Sequence, residues 1–142
     1  SDSTARAQII VYGRLVKEVE RDDRIERDVA YGGGRSGGYL VFQSGYSMTY
    51  YDKLTCNSTA YYSGGEKGAA FTTSTGHAVG LGIVAADPKT FAYHSRMFIQ
   101  SYGMGQVEDT GGMKGNVIDV WFPSYSDCVS WGRRNVTVWL LD

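Results

Sequence analysis

Proline is nearly absent from this sequence: two residues in 142. Cysteine and histidine are equally scarce, at two each. Two cysteines alone cannot complete a four-ligand structural zinc site. Two histidines without HExxH spacing argue against a zinc enzyme. No run of about 20 apolar residues occurs, so no segment reads as a membrane-spanning helix. Neither sign of charge is in excess, with 14 Lys+Arg against 15 Asp+Glu and a net charge of −1. That balance argues against nucleic acid as a partner. No signal-peptide pattern opens the chain, and its start leaves localisation undecided. What the chain does have is glycine (19) and tyrosine (11), with 42% apolar and 20% charged residues. This composition favours one soluble domain of many short strands joined by glycine turns.

Taken in order, residues 8–13 are a short β-rich run, and residues 14–29 alternate charged and aliphatic side chains. Arg21-Asp22-Asp23-Arg24 could turn a hairpin there, while Val16, Val19 and Asp23 also fit a helical stripe. The glycine tract 32–38 reads as a linker, since it lacks the GxxxxGK[ST] pattern of a phosphate loop. We therefore expect an N-terminal arm and linker over 1–38 and the main domain over 39–142. Strands are expected at 39–43, 46–55, 56–62, 78–86, 96–100 and 134–141, with a loop over 63–77. The glycines within 78–86 predict close packing against another backbone. The segment 124–131 is the best helix, with Ser124 as its cap. Many short strands and one late helix suggest a small closed β-barrel.

One strand carries the functional question. In Val117-Ile118-Asp119-Val120-Trp121-Phe122, alternation puts Ile118, Val120 and Phe122 on an apolar face and Asp119 beside Trp121 on the other. A buried carboxylate without a partner is costly, so Asp119 must meet either a wet groove or a donor. Asp87 and Asp109 also stand near strand ends. Paired carboxylates in one cleft drive their pKa values apart and can act as acid and base, as in glycoside cleavage. The plainer alternative is that Asp87, before Pro88, and Asp109, before Gly111-Gly112, cap turns. Tyr61, Tyr62, Trp121 and Trp131 suit stacking on sugar rings or packing in the core. His77 and His94 read as ordinary loop histidines. Cys56 and Cys128 are either a disulfide or two buried thiols.

Several segments together resemble the three-aspartate (3D) domain of bacterial cell-wall proteins of the resuscitation-promoting and stationary-phase-survival type. That domain is related to the catalytic part of the membrane-bound lytic transglycosylase A family. The segments are Ala60-Tyr61-Tyr62, Gly82 to Pro88, Gly103 to Gly112, Lys114-Gly115-Asn116 to Phe122, and Trp131 to Val138. Residues 8–32 more weakly resemble the end of a glycine-named wall module. The resemblance implies an all-β fold: a six-stranded double-psi β-barrel with one or two short helices and an N-terminal β arm.

It also implies a peptidoglycan-cleaving lytic transglycosylase acting on the MurNAc–GlcNAc bond, with no metal and no other cofactor, extracellular or attached to the bacterial wall. Asp119 would be general acid and then base, with Asp109 and Asp87 as companion carboxylates. Tyr61, Thr110, Gly111, Gly112, Lys114 and Trp121 would face substrate. Residues 89–95 depart from the family's usual turn, the Gly-Gly-Met113-Lys114-Gly segment is one residue short, and the two cysteines are unusual. A staple from Cys56 to Cys128 would then join the strand after the linker to the late helix. The alternative function is a non-catalytic glycan-binding wall module on the same barrel. Partners would be peptidoglycan strands, and arm exchange across the glycine tract would give a homodimer.

Overall fold

The computed structural model describes residues 9–11, 14–16, 23–63 and 72–142. Its strands are β1 (Ile9–Val11), β2 (Arg14–Val16), β3 (Ile25–Ala30), β4 (Gly38–Phe42), β5 (Ser47–Tyr61), β6 (Ile83–Ala86), β7 (Arg96–Ile99), β8 (Gly103–Asp109), β9 (Val117–Trp121) and β10 (Arg134–Leu141). Helix α1 (Tyr125–Trp131) lies between β9 and β10. β1 and β2 pair as a separate antiparallel hairpin.

The sheet closes on itself. Strands run in the order β10-β7-β8-β6-β9-β5, and β10 pairs back onto β5, giving a six-stranded barrel. Closure leaves these six strands no open edge to attract a foreign strand. Two of the pairings are parallel, β5–β9 and β6–β8, and the other barrel pairings are antiparallel. This is the expected double-psi barrel. β5 is its longest strand at 15 residues. Its first residues pair with β4, its middle with β10 and its last five with β9.

β3 and β4 extend the sheet from β5. The glycine tract expected as a linker is therefore the loop of the β3–β4 hairpin, where Ala30 pairs with Gly38 and Tyr31 N donates to Gly37 O. Part of the Arg21–Arg24 turn lies outside the described residues. Asp23 accepts from Ser44 N, a contact no helical reading provides.

Inside the barrel, Val84, Ile99, Val107, Ile118, Val120 and Val138 are fully buried. A second cluster of Leu40, Phe42, Tyr50, Phe98, Met104 and Trp139 fills the space between the extension and the barrel wall. The segment 78–86 forms a strand only from Ile83, and open space surrounds Gly80. The close approach occurs at Gly105 instead. A Cβ there would lie 2.7 Å from Val84 Cγ2 and 2.9 Å from Ile99 Cδ1, so any side chain would collide with the core.

Ser124 caps α1 by accepting from Asp127 N at 3.2 Å, and Gly132, at φ 65°, ends the helix with its N–H on Cys128 O. Only a residue without a Cβ enters that left-handed region at little cost. Trp131 is the buried residue of the helix, and its Nε1 donates to Ser58 Oγ at 3.0 Å in the core. Tyr125 and Val129, one turn apart on the helix, are both exposed, at 65% and 60%. Cys56 and Cys128 are free thiols in one core cluster, so the expected staple between strand and helix is not formed. Burial pushes the Cys56 thiol up to about 11, which keeps it protonated and inert.

Candidate active-site cleft

β6 brings two aspartates to one place. Ala85 is the register partner of Asp109 on β8 and of Asp119 on β9. The two carboxylate-bearing strands thus flank a single residue, and their spacing of about 4.8 Å per neighbour puts the two Cα atoms roughly 10 Å apart. Both side chains open into one cleft of about 420 Å³. Tyr61, Thr110 and Gly111 line it as well. β9 behaves as its alternation demands, with Ile118 and Val120 buried and Val117, Asp119 and Trp121 on the less buried face.

The last turn of β5 organises the polar side of the site. Asn57, Thr59 and Tyr61 share one face of the strand, so consecutive members stand about 7 Å apart. Each holds one charged or ionisable group. Asn57 Oδ1 accepts from the Arg133 guanidinium at 2.5 Å, Thr59 Oγ1 donates to Asp119 at 3.0 Å, and Tyr61 OH donates to Asp109 at 3.2 Å. Asp109 also accepts from Ser74 N at 3.1 Å, Ser74 Oγ at 2.7 Å and Thr110 N at 2.9 Å. The Asp119 carboxyl is pushed up to about 6. Burial is the main cause and the charge of Asp109 adds to it, while the Thr59 hydrogen bond and Arg133 pull the other way.

The remaining expected residues lie elsewhere. Asp87 sits outside the cleft lining. It accepts from Lys89 N at 3.0 Å and from the Gly115 amide, with Thr90 and Lys114 nearby. These amides, chiefly Lys89's, hold its carboxyl below the usual range. The third aspartate is thus a turn cap, and it ties the end of β6 to the glycine turn that launches β9. Gly112 and Lys114 are exposed on that turn, outside the cleft lining, and Gly112 has φ 83°. Trp121 is engaged through Nε1 with Ser63 Oγ at 3.1 Å.

Tyr62, expected only as a stacking or core residue, and Cys128, expected only as half of a staple, line the cleft, and so does Tyr125, which was not expected there. Tyr125 is 65% exposed, and its ring meets Tyr62 edge to face at 5.8 Å.

Sequence reading also missed Glu108. It neighbours Asp109 but points to the opposite side of β8 and is fully buried. It accepts from Thr75 Oγ1 at 2.6 Å, Gln106 Nε2 at 2.7 Å and His94 Nδ1 at 2.8 Å, and His77 Nδ1 lies 3.3 Å away. Burial alone would raise its pKa, but the donors, led by Thr75, outweigh it and hold the carboxyl down. The two histidines read as unrelated loop residues therefore share one carboxylate. The loop bearing Ser74 and Thr75 is fastened to both Glu108 and Asp109. Among the described residues, no cluster of three or more His, Cys, Asp or Glu side chains is placed to hold a metal ion.

Comparison with known proteins points the same way as the motifs. Over 95 residues the chain is 36% identical to the "Cell wall-binding protein YocH" of Bacillus subtilis (strain 168), covering 63% of this chain and 33% of that protein. Over 94 residues it is 33% identical to the "Putative cell wall shaping protein YabE" of the same organism, covering 63% of this chain and 23% of that protein. The chain thus spans a third or less of the length of these curated relatives. The family model of the 3D domain matches from Gly82, at the entry to β6, through the last residue of the chain. Over residues 82–142 the chain is thus similar to the 3D domain.

Proposed function

We propose that this protein cleaves the glycan strands of peptidoglycan at the bacterial wall as a lytic transglycosylase, with Asp119 as acid and then base. The observation that carries this reading is the Asp119 carboxyl, held near pH 6 in a cleft it shares with Asp109. A carboxylic acid tuned to that range is protonated often enough to donate and is a useful base once ionised. Similarity to proteins named for wall binding and wall shaping supports the substrate class.

In the first step Asp119 gives its proton to the glycosidic oxygen of the MurNAc–GlcNAc bond. The bond from that oxygen to the anomeric carbon breaks, and the GlcNAc side leaves with a free hydroxyl. The oxocarbenium-like charge that develops lies in the field of the Asp109 carboxylate. Asp119, now ionised, takes the proton of the muramyl 6-hydroxyl. Oxygen-6 attacks the anomeric carbon and closes a 1,6-anhydro ring. Asp119 ends protonated, as it began, and no water is consumed. Tyr62 and Tyr125 offer flat apolar faces to the pyranose rings.

The test is release of soluble glycan fragments from insoluble peptidoglycan. The wild-type protein should release them, and Asp119→Asn should bind the same material without releasing any. A second reading is a non-catalytic wall-binding module. It is favoured by Asp87 standing outside the cleft, so that only two of three aspartates converge. Sedimentation with peptidoglycan and no soluble product from the wild-type protein would select it.

A further inference from the structure

We propose that Arg133, seated on Asn57, forms an anion subsite that makes the cleft prefer a carboxylate-bearing glycan over a neutral one. This rests on reading the cleft as a glycan site, and it adds a recognition element outside the catalytic aspartates.

The argument begins with the β5 stripe. Asn57, Thr59 and Tyr61 present Arg133, Asp119 and Asp109 in that order along one strand face. Asn57, which holds the cation, therefore stands about 7 Å along the strand from Thr59, which holds Asp119, on the side away from Tyr61 and Asp109. Arg133 follows the C-cap Gly132 and is exposed. Its one hydrogen bond among the described residues goes to a neutral amide oxygen, and it forms no ion pair there. Asn57 is itself steadied by Asn135, its register partner on β10, through a 3.3 Å bond from Nδ2 to Oδ1.

A guanidinium carries five N–H donors in a planar fork that matches a carboxylate. Here one donor is used on Asn57, and on this exposed side chain the others are available to an anion at the edge of the cleft. Arg134, by contrast, is tied to the helix carbonyls of Trp131 and Ser130 and lies over the Trp131 ring. It serves structure, whereas Arg133 makes its hydrogen bond to a neutral amide and feels the Asp119 charge only at longer range. Glycan chains of the wall carry carboxylates on their peptide substituents, and neutral β-1,4 glycans do not. An anion docked on Arg133 would also offset the one cation that opposes protonation of Asp119. Binding of the acidic chain and readiness of the acid would then be linked.

The test uses the Asp119→Asn protein, which should hold intact substrate. It is titrated calorimetrically with two probes: solubilised peptidoglycan strands, and neutral N-acetylglucosamine oligomers of similar length. The acidic strands should bind about 10-fold more tightly at low salt. Adding Arg133→Gln should abolish that preference while leaving affinity for the neutral oligomer unchanged, and Arg133→Lys should restore part of it. Asn57→Ala, which frees the fork without removing its charge, should give an intermediate preference. An unchanged preference in R133Q overturns the proposal, as does equal loss of both probes by R133Q with an unaltered melting temperature. If the wild-type protein cleaves nothing while the Arg133-dependent preference is present, the catalytic reading falls and the subsite stands. If it cleaves and the preference ignores Arg133, the reverse holds.

Discussion

Thr59 donates a 3.0 Å hydrogen bond to Asp119 from directly across the parallel β5–β9 ladder. The contact favours the charged carboxylate, so it opposes burial and the charge of Asp109, which raise the Asp119 pKa to about 6. The first chemical step needs the protonated form. Activity should therefore fall as pH rises through about 6. Thr59→Val should move that alkaline limb upward, and Asp109→Asn should move it downward. The pH profile of kcat/KM, which reports groups of the free enzyme, checks both. Shifts in the same direction would contradict the assignment.

The raised pKa also has a stability consequence. A carboxyl whose folded value, about 6, exceeds its unfolded value contributes stability that is present below the unfolded value and lost as pH rises through about 6. Asp119→Asn keeps an oxygen for Thr59 to bond and removes the cost of burying charge. It should stabilise the protein at pH 8 by about 2 kcal/mol, allowing for partial solvent access, with little gain at pH 4. Urea unfolding at the two pH values measures this. The same substitution should abolish cleavage, as expected where an active site carries stored cost.

Glu108 predicts the opposite pH trend. Its folded pKa is lowered by its donors, so its contribution is present above the unfolded glutamate value and is lost as pH falls through the folded one. Glu108→Ala would strand the buried Gln106 and the half-buried Thr75 and should cost about 3 kcal/mol at pH 7. Glu108→Gln should cost less and should weaken the fall in stability below about pH 4. Thermal melts across that range would check it.

Asp87→Asn separates turn capping from chemistry. It weakens the tie between the end of β6 and the Gly115 turn. Activity should fall by about 3- to 10-fold, the scale of a slightly misplaced catalytic group. The alkaline limb should stay where it is, because Asp87 has no part in raising the Asp119 pKa. A moved limb would place Asp87 in the site after all.

What could be read from the sequence follows from where the physics is local. Alternation alone placed Asp119 on the face opposite Ile118 and Val120, and Ser124 and Gly132 marked the ends of α1. Closure of the barrel is a long-range event; the many short strands suggested it, and only the motif resemblance anticipated its double-psi form. The convergence of Asp109 and Asp119 on Ala85 depends on two registers that no single strand encodes. Asp87 could have gone either way, and backbone amides from two loops decided it. Ser74, Glu108 and the two histidines were invisible for the same reason. Thr75 and Glu108 are 33 positions apart, and nothing in either segment announces the other.

The central claim is that Asp119 passes its proton to the leaving sugar and takes one back from the muramyl 6-hydroxyl. Mass spectrometry of peptidoglycan digested in heavy-oxygen water tests this most directly. The account predicts 1,6-anhydromuramoyl ends that carry no heavy oxygen and are absent with Asp119→Asn. Reducing MurNAc ends labelled from the solvent would mean hydrolysis, and undiminished anhydro ends from Asp119→Asn would mean that the acid lies elsewhere.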